Sequence, residues 1–193
     1  MMPLRFSILL FAFLCLPLAA KADAVQVRGF IWGVGKQDVR QYEEAVFWEE
    51  GEDYLRFFED IGDYRRVIEY DFRGGRLWRV HYDYRRLTPP NPKIVMNMYY
   101  DQQRALASIY GEPSSEKMTA RSGRSVRVRP ENWGKFLYGG DLRLVSMWQV
   151  LDTRITLQAY GEGKGYYKLF WTAEKAEREE DRTRQILRLP GQD

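Results

Sequence analysis

Two runs of strict alternation, separated by a pair of glycines, constrain this chain more than anything else in it. Ile68, Tyr70 and Phe72 alternate with polar residues, and after Gly74-Gly75 so do Trp78, Val80, Tyr82 and Tyr84. Successive strand side chains point to opposite faces, so each run is a strand with one buried face, and the glycines join them as a hairpin. Residues directly opposite each other share a face. With both apolar sets on even numbers, a three-residue loop Gly74-Gly75-Arg76 meets that condition. It predicts Phe72 opposite Trp78, Tyr70 opposite Val80 and Ile68 opposite Tyr82. The same register sets Asp71 against Arg79 and Glu69 against His81 on the outer face.

The other elements follow from similar patterns. Gln26–Trp32 is expected to be a short strand, Lys36–Glu44 a short helix behind Gly35, and Tyr54–Glu59 a strand with Leu55 and Phe57 on one face. Pro92 can open, and Gly111 and Pro113 can close, a main helix over Lys93–Tyr110. Its expected stripe is Ile94, Met98, Gln102, Ala105, Leu106 and Ile109, with Val95 and Tyr99 beside it. Leu142–Val150, Ile155–Ala159 and Tyr167–Trp171 alternate again, which predicts a meander. Its register sets Trp148 against Ile155 across Leu151-Asp152, and Ala159, Leu157 and Ile155 against Tyr167, Leu169 and Trp171. Thr172–Leu187 reads as a charged helix capped by Thr172. Neither the helix nor the sheet can bury its apolar face alone. The fold class is therefore α+β: an antiparallel sheet, made of the central hairpin and a C-terminal three-strand meander, packed by one main helix.

The first residues are not expected to join that fold. Arg5 precedes an apolar run, Phe6–Ala20, and Ala20-Lys21-Ala22 and Ala22-Asp23-Ala24 are small-x-small cleavage sites. This is the pattern of a secretory signal peptide, too short for a stable transmembrane anchor. The reading is residues 1–24 as signal peptide, 25–172 as one α+β domain and 173–193 as a charged helical or disordered tail. The only cysteine, Cys15, lies in the leader, and Phe13-Leu14 before it lacks the small residue of a lipobox. An exported chain built without disulfides fits a bacterial periplasm or secreted location. Of the net charge of +3, Arg5 and Lys21 supply two. With export, that argues against nucleic acid as a partner.

Catalytic patterns are lacking, so the chain leans away from an enzyme and no cofactor or metal is expected. His81 is the only histidine, and a zinc site built around it would rest on carboxylates. Ser114, Ser115 and Ser146 have no elbow motif. Glu69, Asp71 and Asp83 are interleaved with core aromatics rather than paired in a cleft. Gly161-x-Gly-x-Gly165 lacks the lysine and hydroxyl ending of a phosphate loop. The segment from Arg121 to Tyr138 stands out instead. Arg121, Arg124, Arg127 and Arg129 precede Trp133, Phe136 and Tyr138, with Gly134, Gly139 and Gly140 among them. Arginine and aromatics are enriched at binding hot spots. The segment is expected to bind a protein or cell-envelope component, unless Trp133 and Phe136 plug the end of the sheet. Alternatives are a small-ligand carrier with an aromatic pocket between sheet and helix, and a hydrolase using acidic residues.

The order of short motifs resembles that of uncharacterised bacterial exported proteins. It runs Gly29-Phe30-Ile31-Trp32-Gly33-Val34 with Val39, Glu69-Tyr70-Asp71-Phe72 with Gly75-Arg76-Leu77, Tyr110-Gly111-Glu112-Pro113, then Trp148 and Thr153-x-Ile155-x-Leu157. More remotely it is similar to the small α+β modules of the beta-lactamase inhibitor protein and of the small lipoprotein of outer-membrane assembly. The chain lacks that lipoprotein's lipobox and the inhibitor's disulfides. The resemblance implies an α+β module and no catalytic residue.

Overall fold

The computed structural model describes residues 24–89, 91–121, 127–129, 132–163 and 165–176, with the side chains of residues 85 and 86 excepted. The chain is α+β. A small hairpin, β1 (Gln26–Val27) and β2 (Phe30–Ile31), leads into α1 (Lys36–Tyr42). Four strands follow: β3 (Val46–Glu50), β4 (Tyr54–Ile61), β5 (Tyr64–Arg73) and β6 (Arg76–Leu87). Then come α2 (Pro92–Tyr110), β7 (Ser115–Ala120), α3 (Trp133–Gly139), β8 (Leu142–Val150), β9 (Thr153–Gly163) and β10 (Tyr166–Lys175). The eight longer strands form one antiparallel sheet in the order β3-β4-β5-β6-β10-β9-β8-β7. Each half opens with a helix and supplies four strands, with α3 set between β7 and β8 in the second, and the last strands of the two halves pair at the centre. Tyr82 lies opposite Trp171 at that seam, their rings stacked at 3.8 Å.

The central hairpin solves its parity problem differently from the expectation. Gly74 and Gly75 have φ of 55° and 73°, and Arg73 pairs with Arg76. That is a two-residue turn with both central residues left-handed, which favours glycine at both positions. The extra residue is absorbed by a bulge in β6. Leu77, not Trp78, pairs with Phe72, while Tyr70–Val80, Ile68–Tyr82, Asp71–Arg79 and Glu69–His81 pair as expected. Leu77 is buried. Trp78 is half-buried on the outer side, with the guanidinium carbons of Arg73 and Arg79 at 3.5 and 4.8 Å from its ring centre.

The C-terminal strands keep their expected faces but slide by two residues. Ala159, Leu157 and Ile155 pair with Leu169, Trp171 and Ala173, because β9 runs on to Gly163. Trp148 pairs with Ile155 across Leu151-Asp152, as expected. Thr172 lies within β10 and caps no helix; the ladder continues to Lys175. The rest of that expected helix, from 177 onward, and residues 1–23 lie outside the described residues. Gln26–Trp32 is not one strand. Arg28 and Gly29, at φ 54° and 80°, turn it back on itself.

All three helices lie on one face of the sheet. Asn91 Oδ1 accepts the Lys93 amide, Pro92 opens α2, and the Gly111 amide closes it on Ala107 O. The buried residues of α2 are Val95, Tyr99 and Leu106, whereas Ile109 is 69% exposed, so its inner face is turned relative to the expected stripe. A polar contact fixes that rotation. Ser146, fully buried on the sheet, meets the Tyr99 hydroxyl at 2.6 Å and accepts from Gln103 Nε2 at 2.8 Å. A buried hydroxyl left unpaired is costly. The β1–β2 hairpin and α1 cover the other half through the fully buried Val27 and Val39. Trp32 Nε1 donates to Thr153 Oγ1 at 2.6 Å.

Candidate functional site

Among the described residues, no helix or strand covers the opposite face of the sheet. The strand registers arrange that face in rows crossing the strands. The first row is Thr119, Arg143, Tyr160 and Lys168. The second is Lys117, Val145, Gln158, Phe170, Asp83, Val67, Phe58 and Val46. The third is Ser115, Met147, Thr156, Thr172, His81, Glu69, Arg56 and Glu49. The fourth is Gln149, Arg154, Glu174, Arg79, Asp71 and Tyr54.

These rows differ in chemistry. The second is mostly apolar. From Val145 on β8 to Val46 on β3 it crosses six strand spacings, roughly 29 Å. Val46 is 57% exposed, and Phe170, Phe58 and Val145 are half-buried. The third and fourth rows satisfy themselves. Arg56 holds both Glu49 and Glu69, Arg79 Nε donates to Asp71 at 2.7 Å, and Arg154 reaches Glu174 at 3.3 Å. His81 Nδ1 lies 2.7 Å from Thr172 Oγ1, and its ring centre is 5.3 Å from that of Phe170. Burial holds the His81 imidazole below its usual range, outweighing Asp83 and Glu69, which favour its charge.

The first row is different. Arg143 lies over the Tyr160 ring at 4.6 Å, and Tyr160 meets Phe170 edge-on at 6.2 Å. Among the described residues neither Arg143 nor Lys168 has a carboxylate partner. This row ends at a pocket of about 330 Å³ lined by Arg121, Arg143, Tyr160, Glu162, Leu142, Gly140 and Gly161. The two glycines let α3 dock against bare backbone: a Cβ on Gly161 would stand 1.7 Å from Leu137 O.

The residues expected to bind are distributed unevenly around this face. Arg121 is exposed in the pocket, its amide bonded to Asp141 O. Arg124 lies outside the described residues. Arg127 and Arg129 are exposed. Trp133 is half-buried against the core: Nε1 donates to Val128 O at 2.7 Å and its ring stacks near Tyr100 at 6.1 Å. Phe136 and Tyr138, 38% and 54% exposed, project from α3, with Tyr138 against Gly165 in the β9–β10 turn. Sequence reasoning passed over Arg143, Tyr160, Lys168 and Phe170. Their signal was aromatic and basic residues on the outward positions of β8–β10, where short neutral polar ones suffice.

Acids also converge on the covered side. Arg28 bonds Glu43, at 2.8 and 2.9 Å to its two oxygens, and also Glu59; Arg66 bonds Glu59, and Tyr70 donates to Glu43. Burial, with the nearby Tyr82 and Glu43, holds the Tyr70 hydroxyl far above its usual range and so protonated. Each carboxylate here is matched by an arginine, which makes the cluster a fastener of the N-terminal hairpin rather than an acid–base pair. No protein-family model, curated protein or solved structure matches the chain.

Proposed function

We propose that this protein is a non-enzymatic binding protein that holds a protein or cell-envelope component on the open face of its sheet. The observation that carries the reading is the second row. One sheet face packs helices, while the other carries the exposed Val46 and the half-buried Phe58, Phe170 and Val145 along one row crossing the strands. A partly exposed apolar row rimmed by polar residues is a feature of interaction surfaces. Arg121 belongs to its rim, while Phe136 and Tyr138 are exposed on α3, with Tyr138 beside the β9–β10 turn. Export after cleavage near Ala22 or Ala24 supplies the setting and rests on the leader's sequence pattern.

The test is capture from an envelope extract by the full chain and by Phe170→Ala and Tyr160→Ala, each first shown to unfold at the parent's denaturant midpoint within about 1 kcal/mol. The reading expects both variants to lose the captured component. Undiminished capture by both would overturn it. Mass spectrometry of the protein from its host tests export, and a species retaining Phe6–Ala20 would contradict cleavage.

A further inference from the structure

The charges of the open face are lopsided. On the β3–β6 half Arg56, Arg65 and Arg79 each hold a carboxylate. On the β7–β10 half Lys117, Arg143 and Lys168 face outward, and Arg121 stands in the pocket. None of these four has an ion-pair partner among the described residues. Glu162 is the one acid among the described residues that line the pocket. Asp141 turns its carboxylate toward Gly139 instead. Arg143 and Lys168 are two strand spacings apart, roughly 10 Å. That is about one Debye length in physiological salt, so each cation acts on what touches it rather than as a distant field.

We infer that the occupant of the open face is an acidic polypeptide segment, its apolar side chains seated along Val145, Phe170 and Phe58 and its carboxylates on Arg143, Lys168 and Arg121. This rests on the binding reading above and adds the partner's chemistry. Arginine pairs directionally with carboxylate. The apolar row is interrupted by Gln158, whose amide suits a partner backbone, and by Asp83, whose Oδ1 is buried without a hydrogen-bond partner among the described residues. An acyl chain would have to lie across those polar groups on an unenclosed surface. The polypeptide is therefore the better fit, and an anionic lipid surface is the alternative the experiment must exclude.

The probes are a fluorescein-labelled peptide of glutamate and leucine, its lysine-for-glutamate twin, and phosphatidylglycerol vesicles, each titrated against the full chain. The acidic peptide should bind, and the basic twin should bind at least about ten-fold more weakly. Combined Arg143→Glu and Lys168→Glu should reverse that preference, and Glu162→Gln should tighten the acidic peptide. Raising salt should weaken the acidic peptide in the parent chain. Equal binding of both peptides would overturn the inference, as would vesicle binding without peptide binding. The envelope capture separates the two claims. Capture lost by Phe170→Ala but kept by the charge-reversed variant ends the acidic-partner inference alone. Capture kept by both ends the open-face reading itself.

Discussion

Replacing Glu43 with alanine should be among the most damaging single changes in the chain. Its side chain is 1% exposed, and three donors converge on it: Arg28 Nε, the Tyr70 hydroxyl and, at 2.7 Å, the Ala45 amide. Arg28 keeps Glu59, so it is not stranded. The Tyr70 hydroxyl, on a fully buried residue, loses its one hydrogen-bond partner among the described residues. An orphaned buried donor costs about 1–3 kcal/mol. Removing one member of a buried ion pair costs about 3–5 kcal/mol in total. Glu43→Ala should therefore lose about 3–5 kcal/mol in urea denaturation, with an unchanged m-value. Tyr70→Phe alone should lose about 1 kcal/mol. Because the double variant carries no orphaned hydroxyl, its loss should fall short of the summed single losses by about 1–2 kcal/mol. A loss under about 1 kcal/mol for Glu43→Ala, or strict additivity, would refute the claim that this cluster fastens the N-terminal hairpin to the sheet.

Gly161→Ala drives a Cβ into the Leu137 carbonyl and should cost at least about 3 kcal/mol by undocking α3; near-native stability would mean α3 is not seated there. Leu77→Ala should lose about 2–5 kcal/mol, and Trp78→Ala, half-exposed in the bulge, only about 1 kcal/mol; the reverse order would restore Trp78 to the core. The folded-state pKa of His81 lies below its ordinary value of 6.5, chiefly through burial. The stability it contributes is thus present above pH 6.5 and lost as pH falls through the folded value. His81→Gln should flatten that part of a stability–pH profile measured from pH 7.5 to 5, and an unchanged slope would contradict the burial account.

Much of the sheet was legible because its signal is local. Ile68–Phe72, Val80–Tyr84 and Leu142–Trp148 alternate strictly, and Gly74-Gly75 and Leu151-Asp152 mark turns. The bulge at Trp78 was not legible, since parity can be repaired in either the loop or the strand. The edge strand β7 was missed because Ser-Glu-Lys-Met-Thr-Ala has little apolar alternation, and α3 because Gly134 and Gly139 argue against a helix that its tertiary packing, Leu137 buried and Gly161 against its backbone, supports. The sequence picked out Arg121 by composition. It could not show that Arg121 joins Arg143 and Tyr160, or that Phe170 lines up with Val67 and Phe58. Those depend on β10 pairing with β6 across the intervening α2 and β7–β9, and no local pattern encodes that pairing.

The most direct test of the open-face account is site-specific photo-crosslinking in the native host. A benzoylphenylalanine replaces Phe170 on the open face or, in a parallel strain, Ile109 on the exposed side of α2. The account predicts a partner adduct from position 170 and none from position 109. Adducts from position 109 with none from 170 would place binding on the helical side and contradict it.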